Sequence, residues 1–444
     1  MMTKAYPKYK PSGVEWLGDV PEQWEVKKVG FLYSIQLGKM LQPDSASGND
    51  ELVPYLKALH VQWEKINFDD LPEMWASPND VTKFSVKNGD LLVCEGGEVG
   101  RAAILSGFDK TAIIQNALHR VRSNTSSVLF LMYVLESASN QKWFEILCNK
   151  ATIAHLTGEK FSALRIPAPT LPEQQAIAAY LDHQTGRIDA LIAKKKSLLS
   201  LLAEQRTALI SRAVTKGLNP SVKLKPSGVE WLGDVPEHWD VKKVKFITTV
   251  NGRIGFRGYT VDDLVDEGDG ALVLGGTNLS KNGKVDLQKR TYLTWDKYHE
   301  SPEIKISKGD ILLGQRGTCG FPVCIDFDIE PTTINPSLVI IKASSHNSSF
   351  LCFWLMNDYM KSIIDNMVSS TAVPMLSQQQ IGNFHIPLPP LPEQQAIAAF
   401  LDHETAKIDT LSAKVQTAIE RLKEYRTALI SAAVTGKIDV REAV

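Results

Sequence analysis

Three short stretches carry residue types that could do chemistry, and each lacks a companion which that chemistry needs. Asn335-Pro336-Ser337-Leu338 distantly resembles the NPP[YF] of amino-methyltransferases. It lacks the aromatic that would stack on a flipped base, and no glycine-rich cofactor motif precedes it. Glu303-Ile304-Lys305 has the ExK order of a nuclease, but no aspartate stands in a PD context, so an exposed charged strand is the better reading. The glycines of CEGGEVGR (from Cys94) and GQRGTCG (from Gly314) fail as phosphate loops. No GK[ST] follows them and the next residues are strand-like, which leaves turn glycines. Nine histidines show no metal-ligand spacing. His183 and His403 fall at matching positions of two helical segments, where a polar contact at an interface fits better than catalysis. Five cysteines (Cys94, Cys148, Cys319, Cys324, Cys352) form no CxxC pair, which argues against a zinc site and a disulfide framework alike.

What remains is a supply of planar and polar side chains in two divergent segments. The first offers Lys57, His60, Gln62, Trp63, Lys65, Lys83, Arg101, Gln115, Asn116, His119 and Arg120. The second offers Asn278, Lys281, Asn282, Lys284, Arg290, Gln315, Arg316, Thr318, Thr332 and Asn335. Arg and Lys bond guanine edges, Asn and Gln bond adenine edges, and contacts to phosphate fix register. Taken one at a time, each of these residues also fits an ordinary solvated surface.

The elements that must position these residues are written twice. KPSGVEWLGDVPEQWEVKKV, from Lys10, returns as KPSGVEWLGDVPEHWDVKKV from Lys225. LPEQQAIAAYLDHQTGRID, from Leu171, returns as LPEQQAIAAFLDHETAKID from Leu391, and EQRTALISRAVT, from Glu204, as EYRTALISAAVT from Glu424. Between these matched ends the copies share only a skeleton, such as KNGDLLVCEGGEVGRAAIL (from Lys87) against SKGDILLGQRGTCGFPVCI (from Ser307). Copies kept nearly identical meet one constraint twice, and copies that diverge on a common skeleton do two different jobs. The divergent segments have short strands broken by Gly, Asn and Asp, with a helix near the end of each (from Val128 and from Phe350), which predicts α+β heads.

After IPAPTLPEQQ and IPLPPLPEQQ both copies turn helical, with Thr170, Pro172 and Glu173 fitting an N-cap, an early-turn proline and a capping-box glutamate. A ladder of alternating four- and three-residue steps gives an interface of Ile177, Leu181, Ile188, Leu191, Leu198, Leu202 and Leu209 in the first helix. In the second it gives Ile397, Leu401, Ile408, Leu411, Val415, Leu422 and Leu429. Heptads held for so many turns predict a coiled coil, and rods of roughly 60 Å exceed what one small domain needs. The fold class expected is α+β, with two pseudo-symmetric heads separated by two long antiparallel coiled-coil helices. The boundaries expected are 1–165, 166–216, 217–385 and 386–444. The C-terminal AVTGKIDVREAV followed by MMTKAYPKYKPSG looks like the internal AVTKGLNPSVKLKPSG cut open, so the two ends are expected to lie close together.

Net charge is −1, which counts against a nucleic-acid binder; a local basic groove, or partner subunits that take on part of the phosphate contact, would reconcile the two. The run Lys194 to Lys196 reads first as solvated coiled-coil face. No apolar stretch approaches the roughly 20 residues a bilayer requires, and a cytoplasmic protein is expected.

The whole pattern resembles the specificity subunits of type I restriction-modification systems. The match rests on SGVEWLGDVPEQW (from Ser12) and SGVEWLGDVPEHW (from Ser227), the paired GDLL and GDIL turns, and the paired IPxPxLPEQQAIAxxLD junctions, in the order reader, helix, reader, helix. The resemblance implies that each head is a target-recognition domain for one half of a split, asymmetric site in double-stranded DNA. It implies helices that hold the heads apart and dock two methyltransferase subunits, with two restriction subunits completing the endonuclease. S-adenosylmethionine, ATP and Mg2+ would sit on those partners, with no cofactor and no catalytic site on this chain. A self-contained methyltransferase-nuclease would need the motif pair found wanting above. A coiled-coil scaffold with protein-binding heads is the third reading.

Overall fold

The computed structural model describes residues 4–148, 155–253, 258–280, 283–317, 319–343, 345–368 and 374–441. It divides into two compact units, Met1–Lys195 with Thr417–Val444, and Lys196–Gln416. In the first unit an antiparallel sheet runs in the order Ala102–Ile104, Leu91–Cys94, Leu118–Arg122, Ser34–Leu37. A second sheet runs Ile113–Ile114, Glu51–Leu56, Glu73–Ala76, its first pair parallel. The second unit repeats both sheets. Its order is Pro322–Cys324, Ile311–Gly314, Leu338–Ala343, Thr248–Gly252, and its parallel pair is Gly270–Leu274 with Thr332–Ile334.

Side chains from both sheets of a unit share one core. Leu56, Leu92, Ile114 and Leu118 meet in the first unit, and Leu274, Leu312, Ile334 and Ile340 meet in the second. Ile340 stands opposite Leu312 in the strand register, so the second core is stapled across the central pair of its sheet. In each unit a helix near the end of the divergent segment, Val128–Asn140 or Ser348–Met356, is capped by a side chain. Ser127 Oγ accepts from Phe130 N at 3.2 Å, and Asn347 Oδ1 accepts from Phe350 N at 2.9 Å.

The shared GD motif is explained by its buried aspartate. Asp90 accepts from Lys87 N (2.8 Å) and from Arg122 Nε and Nη2 (2.5 and 2.6 Å). Its counterpart Asp310 accepts from Ser307 N (2.8 Å) and Lys342 Nζ (2.8 Å). Each copy thus ties a turn to a neighbouring strand with a charge-assisted bond.

The long helices are Leu171–Lys216 and Leu391–Val434. They run antiparallel within each unit. Asp189 faces Arg426 and Glu173 faces Arg441 in the first, while Arg206 faces Asp409 in the second, and Gly217, past the end of the first helix, lies against Glu393 near the start of the other. Ile177, Leu181, Ile188, Leu202, Ile397, Leu401, Val415 and Leu429 are buried as the ladder predicts, with Leu209, Ile408 and Leu422 half-buried.

The ladder departs from the structure at three of its rungs. Leu191, Leu198 and Leu411 are 43%, 39% and 45% exposed. The inward positions lie one residue later, at Thr185, Ile192, Leu199 and Arg206, and at Thr405, Ser412, Ile419 and Arg426. Polar residues hold the inward rungs because they find partners there. Thr185 Oγ1 is 3.3 Å from Tyr133 Oη, and Thr405 Oγ1 donates to Leu401 O at 2.7 Å. Arg426 bonds Glu136 at 2.5 Å and Glu64 at 2.6 Å and pairs with Asp189 at 3.3 Å. Arg206, the counterpart of Arg426, has Asp409 at 3.3 Å and Met356 where the first unit has Glu136. It lines a cavity of about 170 Å³ with Phe321, Met356 and Lys361. His183 and His403 are exposed on the helices and do not enter the seam.

Both helix starts are bolted to their heads by the repeated PEQQ. Glu173, which the sequence suggests as a capping-box residue, accepts from Trp24 Nε1 (3.0 Å) and Tyr6 Oη (2.9 Å). In the other copy Glu393 takes a 2.8 Å contact from His238 Nε2. Gln174 accepts from Ser127 N and donates to Pro169 O, both at 2.9 Å; Gln394 accepts from Asn347 N (3.0 Å) and donates to Pro389 O (2.8 Å). The helix ends are matched too. Gly217 and Gly436 stop their helices at φ +74° and +72°, the left-handed region that glycine enters without cost. Lys216 and Lys437 then donate to the carbonyls of Asp234 and Asp19. The expected meeting of the chain ends is present inside the first unit: Asp439 N donates to Lys4 O at 2.7 Å, and the two residues form a β-bridge.

Candidate nucleic-acid interface

In the first unit the ends of four strands gather at one rim. Lys39 N bonds Ile114 O, Asn116 N bonds Lys39 O, Gln115 N bonds Leu56 O and Glu95 N bonds Ala117 O, all within 2.8–2.9 Å. The turns after Ser34–Leu37, Glu51–Leu56 and Leu91–Cys94 are thereby laced to the turn before Leu118–Arg122. Gly38 permits this closeness, since a Cβ there would lie 2.2 Å from Gln115 O.

Most of the first candidate set lies on this rim or on the hairpin beside it. Gln62 and Lys65 are exposed, and Lys57, Trp63, Gln115 and Asn116 are half-buried. Trp63 Nε1 donates to Glu98 (2.9 Å), and Arg101 is held by Glu98 and by Ala58 O (both 2.9 Å), so Glu98 organises the rim although sequence patterning does not single it out. His60 is buried with Nδ1 accepting from Lys57 N at 3.1 Å, and buried His119 has Nε2 2.7 Å from Leu156 O. Burial pushes both imidazoles below their usual pKa, His60 with help from Lys57 and His119 against the Leu156 carbonyl, so neither supplies a positive charge for phosphate. Arg120 is turned to Ser85 O, and exposed Lys83 stands apart on the helix Pro78–Phe84.

The second unit builds its rim from the corresponding strand ends. Asn335 N bonds Leu274 O (2.9 Å), Gly276 N bonds Ser337 Oγ (2.8 Å) and Gln315 N bonds Ser337 O (2.8 Å). Several candidates prove to be the lacing itself. Buried Asn278 donates to Asp286 O and Lys289 O and accepts from Gly275 N; buried Gln315 donates to Pro336 O (2.9 Å); buried Thr332 donates to Glu330 O (2.6 Å). Their polar atoms are engaged inside the fold, so they shape loops and present little to a groove. Arg316 and Lys284 are exposed, Asn335 is half-buried, and exposed Arg290 pairs with Glu267 at 3.1 Å. Lys281, Asn282 and Thr318 lie outside the described residues. The sequence reading missed Arg253, buried at the rim with Nε on Ile334 O (2.9 Å), Nη2 on Thr333 Oγ1 (3.1 Å) and its guanidinium over Tyr259 (5.4 Å).

The rims offer hydrogen-bonding side chains. Among the described residues no group of three or more His, Cys, Asp or Glu is placed to hold a metal ion, and no helix is long and apolar enough to cross a membrane. Two rims on one plan, with different side chains, are what comparison with known proteins must account for. Residues 21–200 and 237–421 both match the family described as the type I restriction modification DNA specificity domain. The chain belongs to that family. Its relatives include the type I restriction enzyme MjaVIII specificity subunit of Methanocaldococcus jannaschii, 24% identical over 95% of this chain and 94% of the relative. The EcoKI specificity subunit of Escherichia coli is 25% identical over 46% of this chain and 44% of its own. Among solved structures, one described under complex assembly and conformational transition of the type I R-M system covers 94% of this chain and 99% of its own at TM-score 0.73 and 14% identity. The HsdS subunit from Thermoanaerobacter tengcongensis covers 94% and 98% at TM-score 0.56 and 16% identity. DNA target recognition is the role of that specificity family.

Proposed function

We propose that this chain reads a bipartite, asymmetric site in double-stranded DNA, one half-site per head, and scaffolds two methyltransferase subunits and, in the complete endonuclease, two restriction subunits. The observation that carries this reading is the pair of rims built on the same strand ends with different side chains. A constant frame with exchanged contacts suits two unlike half-sites. The exposed or half-buried rim residues are the proposed readers: Lys57, Gln62, Trp63, Lys65, Gln115 and Asn116 in the first head, and Lys284, Arg316 and Asn335 in the second. Catalysis belongs to the partners, which would bind S-adenosylmethionine, ATP and Mg2+, and the assembly would act on chromosomal DNA in the cytoplasm. The chain itself is a non-catalytic subunit.

The test is an exchange of residues 30–160 for the matching segment of a relative, followed by methylome sequencing. One half of the methylated site should change and the other should persist. A change in both halves would overturn the one-head, one-half-site reading.

A further inference from the structure

Phe31 and Phe246 occupy the same place in the two copies, just past the repeated WEVKKV and WDVKKV, and are 77% and 72% exposed. Single exposed apolar residues are normal on any surface. The same large ring held out of the core twice, at the same step of a duplicated frame, calls for a cause that operates twice. In the first unit Phe31 lies along a shallow groove of about 650 Å³ lined by Val26, Lys27, Lys28, Leu32 and Arg165. In the second, Phe246 has Lys245 over its ring at 5.4 Å, and Lys242 and Lys243 precede it as Lys27 and Lys28 precede Phe31. Lys27 and Lys242 are each paired with an acid on their own strand, Glu25 and Asp240. The rim of each patch is basic on balance.

DNA on the reading rim does not explain these rings. Phe31 precedes the strand Ser34–Leu37 and Phe246 precedes Thr248–Gly252, whereas each reading rim begins where those strands end. Four or five residues at ~3.3 Å each put the patch roughly 15 Å from the rim, at the other end of the strand. Phosphate is also bound by cations, amides and hydroxyls, while exposed aromatic rings anchor protein interfaces.

We infer that Phe31 and Phe246 are the anchors of two equivalent docking patches, one on each head, for two copies of one protein partner with an acidic rim around an apolar pocket. Resting on the function proposed above, that partner is the methyltransferase subunit. An occupant that recognises the ring and the two lysines shared by both copies, and not the residues in which the readers differ, must be the same on both heads.

The full chain is co-expressed with its methyltransferase subunit as wild type, Phe31→Glu, Phe246→Glu and the double variant, and the complexes are weighed by native mass spectrometry and titrated. Each single variant should lose one methyltransferase copy, with roughly 30-fold weaker binding at that patch, the scale of an interface anchor. The double variant should lose both. Phe31→Leu, which keeps the apolar contact, should retain most binding, and thermal melts of the free chains should match the wild type, separating lost docking from lost folding. If wild-type chain binds two copies and the double variant binds two just as tightly, the patches are not docking sites, while the scaffold reading stands. If the double variant keeps both copies but loses DNA affinity with a shallower salt dependence, the patch is a phosphate contact and the inference fails. If wild-type chain binds no methyltransferase subunit, the scaffold reading and this inference fall together.

Discussion

The two inward arginines, Arg426 and Arg206, occupy one position of the repeat and live in different surroundings. Arg426 is ringed by Glu136, Glu64 and Asp189, and Glu136 is almost wholly buried. Burial pushes the Glu136 carboxyl up and the guanidinium opposes that effect. Arg426→Met strands a buried carboxylate and should cost about 3–5 kcal/mol in urea unfolding of the first unit. Arg206→Met removes a partly exposed pair and should cost under about 1 kcal/mol. The larger loss should also depend on pH. Without Arg426 the folded-state pKa of Glu136 rises further above its unfolded value. Such a group favours the folded state while protonated, and that contribution is lost as pH rises through the folded pKa. The loss in Arg426→Met should therefore be greater at pH 8 than at pH 5, and equal losses would show that Glu136 is not the stranded group. None of this was legible in the sequence, where an arginine on a helix between polar neighbours reads as solvated and nothing links it to Glu64 or Glu136.

Among the elements, the long helices were legible in type and extent, but their inner face was not. A ladder seeded on leucines selects Leu191, Leu198 and Leu411, because apolar residues are the natural rungs. The inward face instead accepts Thr185 and Arg426, whose polar atoms are satisfied by other parts of the unit, and Thr405, whose hydroxyl donates to the preceding turn of its own helix. The PEQQ junction was legible as a repeat and not as a joint. Its first glutamine, Gln174 or Gln394, bridges the head and the helix start, and the backbone N–H of Ser127 or Asn347 depends on it. Gln174→Ala and Gln394→Ala should each destabilise their own unit by about 1–3 kcal/mol, the cost of an unsatisfied buried group. Thermal or urea unfolding monitored on each variant checks this, and the two losses should be similar because the bonds are the same in both copies. On the rims the sequence could not separate exposed Arg316 from buried Asn278 or Gln315, since loop residues of both kinds are polar and only the fold decides which face inward.

For the molecule as a whole, the repeat announced two modules in cyclic order opened at one joint, and the meeting of Lys4 with Asp439 is the opened joint. A circular permutant cut near Gly217, with the old ends linked, should fold with the wild-type far-UV spectrum and still support site-specific methylation with its partners. Soluble but inactive permutant would show that the two joints are not interchangeable. The position of the opening also sets an order of events during synthesis. The second unit is one continuous stretch, Lys196–Gln416, whereas the first needs Thr417–Val444 to complete it. A ribosome delivers the chain from its N-terminus, so the first unit waits for residues that follow the whole second unit, and its buried Glu136 waits for Arg426. Nascent chains arrested after residue 416 has left the ribosome should hold a protease-resistant second unit beside a first unit that is still cleaved. Once residue 441 has left the ribosome as well, the first unit should close, which makes the stretch after Gln416 its latch.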